Sequence, residues 1–215
     1  FRKSIAESPT DINAMLGLST ALSRAACRYE QPDEYAQEAI LLAENILLND
    51  RANANAEYAA AYAWDCLGRL EKALEHYLRA VKLDDQNANA MSSAAHLLTV
   101  KGELITAYEL NIKAKQLNPS YVVTDVQILN ILSLLGFDNV LDKKIKTLFE
   151  HYPDNVLVNE AYPKYLFSQG FYEQSKSIYK KVIDRGNSRA SLLLYYAELK
   201  WLTESKDAAQ PWVKM

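Results

Sequence analysis

Glycine, proline, cysteine and histidine are all scarce in this chain, at six, six, two and three of 215 residues. With so few glycines there is no glycine-rich loop to cradle a phosphate, and neither an HExxH metal motif nor a GxSxG nucleophile turn occurs. His76, His96 and His151 have no second histidine or cysteine three or four residues away, so no metal-ligand spacing is present. Cys27 and Cys66 lack a CxxC spacing and make no metal or redox motif. Both fall in first helices of adjacent helical pairs, which places a disulfide within geometric reach. Free cysteine is a small, commonly buried hydrophobe, however, and reduced, buried thiols are the expectation. No run of eighteen apolar residues occurs, and the first residues show no signal-peptide pattern. These absences point away from an enzyme, imply no cofactor and no membrane span, and place the chain in the cytoplasm, or in the periplasm if a membrane helix precedes it.

What is present is a register. Gly68, Gly102, Gly136 and Gly170 stand 34 residues apart, three intervals without a slip, in a chain with only six glycines. Other positions recur with them. Five residues on come Ala73, Ala107, Leu141 and Ser175; nine on come Tyr77, Asn111, Ile145 and Tyr179; twelve on come Ala80, Ala114, Leu148 and Val182. Small residues at the first and third of these sets allow two helices to approach closely, and the bulkier second set supplies packing anchors. Seventeen residues after the glycines come Asp85, Pro119, Pro153 and Asn187, read as helix stops and starts.

A fixed period of 34 residues resembles the tetratricopeptide repeat, a stacked helix-turn-helix unit with the pattern W-x2-L-G-x2-Y, then A-x3-F, then P. Ala73 to Tyr77 and Ala107 to Asn111 carry the A-x3-F spacing, and Trp64, Leu98, Leu132 and Leu166 fill the late slot of the first helix. The resemblance implies an all-α fold, a right-handed superhelical array of antiparallel hairpins forming one solenoid over residues 1–215. Residues 54–87 and 88–121 match closely; 122–155 and 156–187 keep the register with larger residues. Residues 11–50 read as a degenerate first hairpin, its helix at 11–29 facing inward with Met15, Leu18, Leu22 and Ala26, and a second helix from Pro32 and Asp33 to about Leu48. Residues 188–215 read as a capping helix and tail, Leu192, Leu193, Tyr196 and Leu199 facing inward with no partner helix, since arrays need such caps. Pro163 falls inside a first helix, where a kink is expected.

The tetratricopeptide resemblance also nominates a surface. In that family the inner wall is lined by the second, fifth, ninth and twelfth positions of each first helix. Here these are Asn55, Tyr58, Tyr62 and Asp65; Asn89, Ser92, His96 and Thr99; Val123, Val126, Asn130 and Ser133; and Leu157, Glu160, Lys164 and Phe167. The polar and aromatic members, Asn55 to Thr99 with Asn130 and Lys164, are the candidate partner-binding residues. Tyrosine and asparagine together suit an extended peptide, offering stacking area and backbone hydrogen bonds. The alternative is that Tyr58 and Tyr62 only pack against neighbouring helices. The fifth and ninth positions read Tyr58/Tyr62, Ser92/His96, Val126/Asn130 and Glu160/Lys164, and none is the lysine and asparagine pair with which family members grip a chaperone's C-terminal carboxylate.

The order of segments also resembles, more loosely, the helical C-terminal region of bacterial winged-helix activators of the ToxR, CadC and HilA group. It runs from FRKSIAESPTDINAMLGLSTALSRA through AENILLND to AVKLDDQNANA and AKQLNPSYV. Phe1 stands where an initiator methionine would, which reads as a fragment or processed chain. The resemblance implies a DNA-binding domain upstream and a regulatory role for this region. The alternative is a stand-alone adaptor or assembly factor. In either case the expected partner is a protein or peptide, with a small molecule in the groove a third option and self-association through the terminal helices, including Trp201 and Trp212, a further one.

Charge adds little. The net charge is −3, with 4 bases and 8 acids in residues 1–50 against 9 bases and 7 acids in residues 151–215. The cluster Lys176, Lys180, Lys181, Arg185 and Arg189 reads as a solvated face partly neutralised by Glu173 and Asp184, because nucleic-acid binding needs a broader basic stripe. No direct nucleic-acid contact is expected of this segment.

Overall fold

A computed structural model describes residues 1–29, 31–186 and 190–213, so Asn187 and Arg189 lie outside the described residues. Thirteen helices follow in order among them: α1 (Arg2–Glu7), α2 (Ile12–Tyr29), α3 (Asp33–Asn49), α4 (Ala54–Cys66), α5 (Leu70–Leu83), α6 (Ala88–Val100), α7 (Leu104–Leu117), α8 (Val122–Leu134), α9 (Asp138–His151), α10 (Val156–Ser168), α11 (Tyr172–Asp184), α12 (Ala190–Thr203) and α13 (Lys206–Val213). From α4 onward, first helices begin at 54, 88, 122, 156 and 190, and second helices at 70, 104, 138, 172 and 206, each 34 residues apart. The hairpin register thus runs five times. The expected lone terminal helix is corrected: α13 packs on α12, with Ala209 buried and the Trp212 ring edge-on to Tyr196 at 4.7 Å.

The glycines do what their spacing predicts. Gly68 has φ 66° and Gly102 φ 82°, in the left-handed region where a Cβ is costly. At the first turn the Arg69 N–H donates to Trp64 O at 2.9 Å and the Gly68 N–H to Asp65 O at 2.9 Å. That double closure is a Schellman cap, which satisfies two orphan carbonyls at the helix end. It recurs at the next three turns, where Glu103, Phe137 and Phe171 donate to Leu98, Leu132 and Leu166. The late slot of the first helix and the glycine are therefore two halves of one turn. In the fifth turn Glu204 occupies the glycine position, and both its N–H and that of Ser205 go to Lys200 O.

Three of the first helices, α4, α6 and α10, start on asparagine. The side chains of Asn53 and Asn87 accept from Ala56 N at 3.0 Å and Ala90 N at 2.9 Å, and Asn155 accepts from Leu157 N and Val158 N. The capping role expected of Asp85 belongs to Asn87, two residues later, because α6 begins only at Ala88. Pro32 precedes α3 as its N-cap residue, and α10 runs through Pro163, whose carbonyl accepts from Ser175 Oγ at 2.7 Å.

The chain forms two compact units, Phe1–Thr124 and Asp125–Met215. In the first, α2/α3, α4/α5 and α6/α7 are hairpins stacked in sequence. Ala56, Ala60, Ala61 and Ala63 of α4 are wholly buried, as are Ala73 and Ala107, so helix backbones pass close to one another. Met15, Ile46 and Ala56 form one cluster, and Leu18, Leu22, Ala39, Ile40 and Ala63 another. In the second unit Leu129, Leu141, Ile145 and Tyr165 make one core and Tyr179, Val182, Leu192, Tyr196 and Leu199 the next. The anchor positions Tyr77, Asn111, Ile145 and Tyr179 are all buried, as are Ala80, Ala114 and Val182.

The cysteines overturn their expectation. Cys27 and Cys66 form a disulfide, Cα to Cα 5.1 Å, rather than two buried thiols. Parallel stacking of α2 on α4 brings the last turns of both helices together, within the separation that a disulfide spans. Cys27 is exposed and Cys66 half-buried, so the apolar-burial argument did not apply.

Candidate partner-binding face

In the first unit the first helices α2, α4 and α6 present consecutive faces. A cavity of about 440 Å³ opens between α2 and α4, walled by Phe1, Leu16, Gly17, Thr20, Ala21 and Arg24 with Asn55 and Tyr58. Its walls are small and apolar toward Gly17 and polar toward Arg24, Asn55 and Tyr58. Tyr58 also meets Tyr77 of α5, ring centroids 5.7 Å apart. The Tyr77 hydroxyl points at Asp65 Oδ2, 3.5 Å away, and Ser93 of α6 lies beside both phenols. Tyr58 therefore both packs on a second helix and faces the cavity.

Burial shifts the ionisable groups here. The Tyr58 phenol is pushed up by burial and by its neighbour Tyr121, and Tyr77 is pushed well above the ordinary range by burial and by the Asp65 charge. Burial also raises the Asp65 carboxyl, against the opposing pull of His96 and the Tyr77 hydrogen bond. Tyr121 is raised by burial, with Arg28 opposing. The face is thus a patch of neutral phenols around one carboxylate, edged by the cations Arg24 and Arg28. Neither arginine has an acidic side chain within ion-pair distance among the described residues.

The nominated residues divide as follows. Asn55, Asn89 and His96 are exposed, and Tyr58, Tyr62, Asp65 and Thr99 are half-buried, Thr99 Oγ1 donating to Ala95 O at 2.8 Å. Ser92 is only 2% exposed, because a short side chain at the position of Tyr58 does not reach the surface; Ser93 takes its place beside the tyrosines. Asn130 and Lys164 are exposed in the second unit, where Lys164 Nζ lies 5.8 Å from the Tyr195 ring. Arg24, Gly17 and Ser93 were not nominated. The fifth hairpin adds two more, since its fifth and twelfth first-helix positions are Leu194 and Trp201, each 62% exposed.

The other polar features are internal. Glu57, buried between α4 and α5, meets His76 Nδ1 at 2.5 Å. Lys176 bridges Glu173 and Glu204, Lys180 pairs with Asp184, and Arg185 meets Asp154 at 2.8 Å, so much of the basic cluster is neutralised. Among the described residues no group of three or more His, Cys, Asp or Glu could hold a metal ion, and no helix is long and apolar enough to cross a membrane.

No protein-family model and no curated protein matches the sequence. Solved structures do match. A tetratricopeptide repeat protein from Parabacteroides merdae is 17% identical, with a TM-score of 0.81 over 99% of this chain and 81% of its own. PilF of Pseudomonas aeruginosa is 18% identical, TM-score 0.67, covering 93% of this chain and 90% of its own. YrrB, described as a tetratricopeptide protein with an unusual peptide-binding site, is 16% identical, TM-score 0.54, over 80% and 89%. The chain thus has the all-α tetratricopeptide-repeat fold, an array of helical hairpins.

Proposed function

We propose that the chain is a non-catalytic binding module that holds a peptide or a segment of a protein on the first-helix face of residues 1–124. The observation that carries this reading is the cavity between α2 and α4, where Tyr58 and Asn55 meet Arg24, which has no acidic partner among the described residues. Tyrosine offers rigid contact area and a hydroxyl, asparagine a donor and an acceptor, and together they suit a peptide backbone. The likeness to YrrB supports the same kind of use. The test is recovery of partners on the immobilised chain beside a Tyr58→Ala/Tyr62→Ala variant shown by its melting curve to be folded. Partners lost from the variant support the site; equal recovery moves it elsewhere, with Leu194 and Trp201 the next surface to examine.

The biological setting we favour is the regulatory region of a bacterial transcriptional regulator, resting on the order of segments described above, with a stand-alone adaptor as the alternative. A gene encoding a winged-helix domain upstream of these residues is the expected finding, and a gene without one sinks it. The Cys27–Cys66 disulfide supports an oxidising compartment over the cytoplasm, since such bonds persist mainly outside reducing cytosol.

A further inference from the structure

Gly17 is the chain's single glycine inside a helix, and glycine there costs about 1 kcal/mol relative to alanine. Backbone conformation does not require it, as it does at the turns. The space beside it is taken by Phe1: a Cβ on Gly17 would stand 2.6 Å from Phe1 Cζ, so the edge of that ring lies in the notch and would swing aside for a larger side chain. The ring is loosely held all the same, with Phe1 63% exposed. It is kept there by its neighbour Arg2, whose guanidinium makes two hydrogen bonds to Glu38 of α3 at 2.6 and 2.8 Å.

The notch opens into the cavity that ends at Arg24. Gly17 and Arg24 are seven residues apart on α2, two turns, or about 10 Å along the helix axis. A polyproline-like peptide advances about 3.1 Å per residue and repeats its facing side every third residue, so two side chains three residues apart match that span. One end of the span accepts an aromatic ring, as Phe1 shows. The other offers a cation with no carboxylate beside it among the described residues, a charge complement for an acid.

We propose that the Gly17 notch is the aromatic subsite of the binding face, and that its partner is an extended peptide with an aromatic and an acidic residue three positions apart. Phe1 is the intramolecular competitor for that subsite. This rests on the peptide-binding reading above and names the chemistry of the ligand. A competitor that occupies the site lowers apparent affinity by the fraction of molecules it closes, so freeing the notch tightens binding.

The test uses a fluorescein-labelled acetyl-Ser-Phe-Ser-Ser-Glu-Ser-Gly peptide, its version with Phe and Glu exchanged, and Phe-to-Ala and Glu-to-Lys controls, titrated by anisotropy. The expected result is that one of the two orders binds, that Phe1→Ala tightens it several-fold, and that Gly17→Leu and Arg24→Glu in that background each weaken it about tenfold or more. Gly17→Leu raises helix propensity, and unchanged melting confirms that lost affinity is not lost fold. Binding that Gly17→Leu leaves intact overturns the notch while the groove stands. Absence of binding by the Phe1→Ala chain to either order at millimolar concentration also overturns it, and the tyrosine variants then decide the groove separately.

Discussion

The cross-link between Cys27 and Cys66 spans a sequence separation of 39 residues, and its removal frees that length of chain in the unfolded state. Loop-closure entropy for such a loop amounts to about 4 kcal/mol at room temperature, an upper figure because native strain and residual structure reduce it. The bond ties the end of α2 to the end of α4 inside the first unit, so the loss falls there. With an unfolding entropy of about 2.1 cal/mol/K per residue, 4 kcal/mol lowers the melting point by about 15 °C if only Phe1–Thr124 unfolds with it, and by about 9 °C if the whole chain melts together. The measurement is calorimetry of oxidised protein against protein held in a phosphine reductant, with the Cys27→Ser/Cys66→Ser variant as the covalent control. Alkylation and mass spectrometry of the unfolded, unreduced chain report the bond directly. Two alkylated thiols without reductant, or a melting point that reductant and variant both leave unmoved, would refute the reasoning.

Three further outcomes follow from the geometry. Gly102→Ala places a Cβ at φ 82° with no atom within 4 Å of it, so its cost of about 1–2 kcal/mol is purely conformational and shows as a lower urea midpoint with unchanged slope. Asn111→Leu keeps the branch at Cγ and removes an amide whose Nδ2 and Oδ1 are buried without a partner among the described residues; a gain of about 1–2 kcal/mol in urea melts is expected. Burial raises the Asp65 carboxyl above the ordinary 3.8, so its protonation favours the fold: that contribution is present below pH 3.8 and is lost as pH rises through the raised folded value. Asp65→Asn, which keeps an acceptor for Tyr77, is therefore more stable than the parent at pH 7, and urea melts show the difference shrinking as pH falls to 3.

The scaffold was legible because one conformational demand repeats. A left-handed residue at each turn admits little but glycine, and the close helix approach five residues later favours a small residue at three of four turns, Leu141 being the exception, so both leave marks at Gly68, Ala73 and their equivalents. The fifth hairpin kept only the second mark: Ala209 stands at the small position and is buried, but Glu204 replaces the glycine and Pro211 sits within α13, so the repeat is betrayed chiefly by the start positions 190 and 206. The disulfide was within reach of the register, which put both cysteines on adjacent first helices, but the choice of buried thiols assumed a burial that exposed Cys27 does not have. At the proposed face the register reached the helices and the tyrosine that line the cavity, but missed what depends on side-chain length and on the N-terminal segment. Ser92 is too short to emerge, and Gly17 carries meaning only once Phe1 is seen against it.

The substitution at the fifth turn changes how the end of the array is fastened. Four hairpins close through a backbone shape that salt does not touch. The last closes beside Glu204, whose carboxylate takes Lys200 at 2.6 Å and Lys176 at 3.2 Å and whose pKa those two lysines lower. Exposed charge pairs weaken as the Debye length shrinks, from about 10 Å at 0.1 M salt to about 3 Å at 1 M. The final hairpin accordingly carries a contribution that depends on ionic strength and that the other four turns lack, placed beside the helix whose Trp212 meets Tyr196.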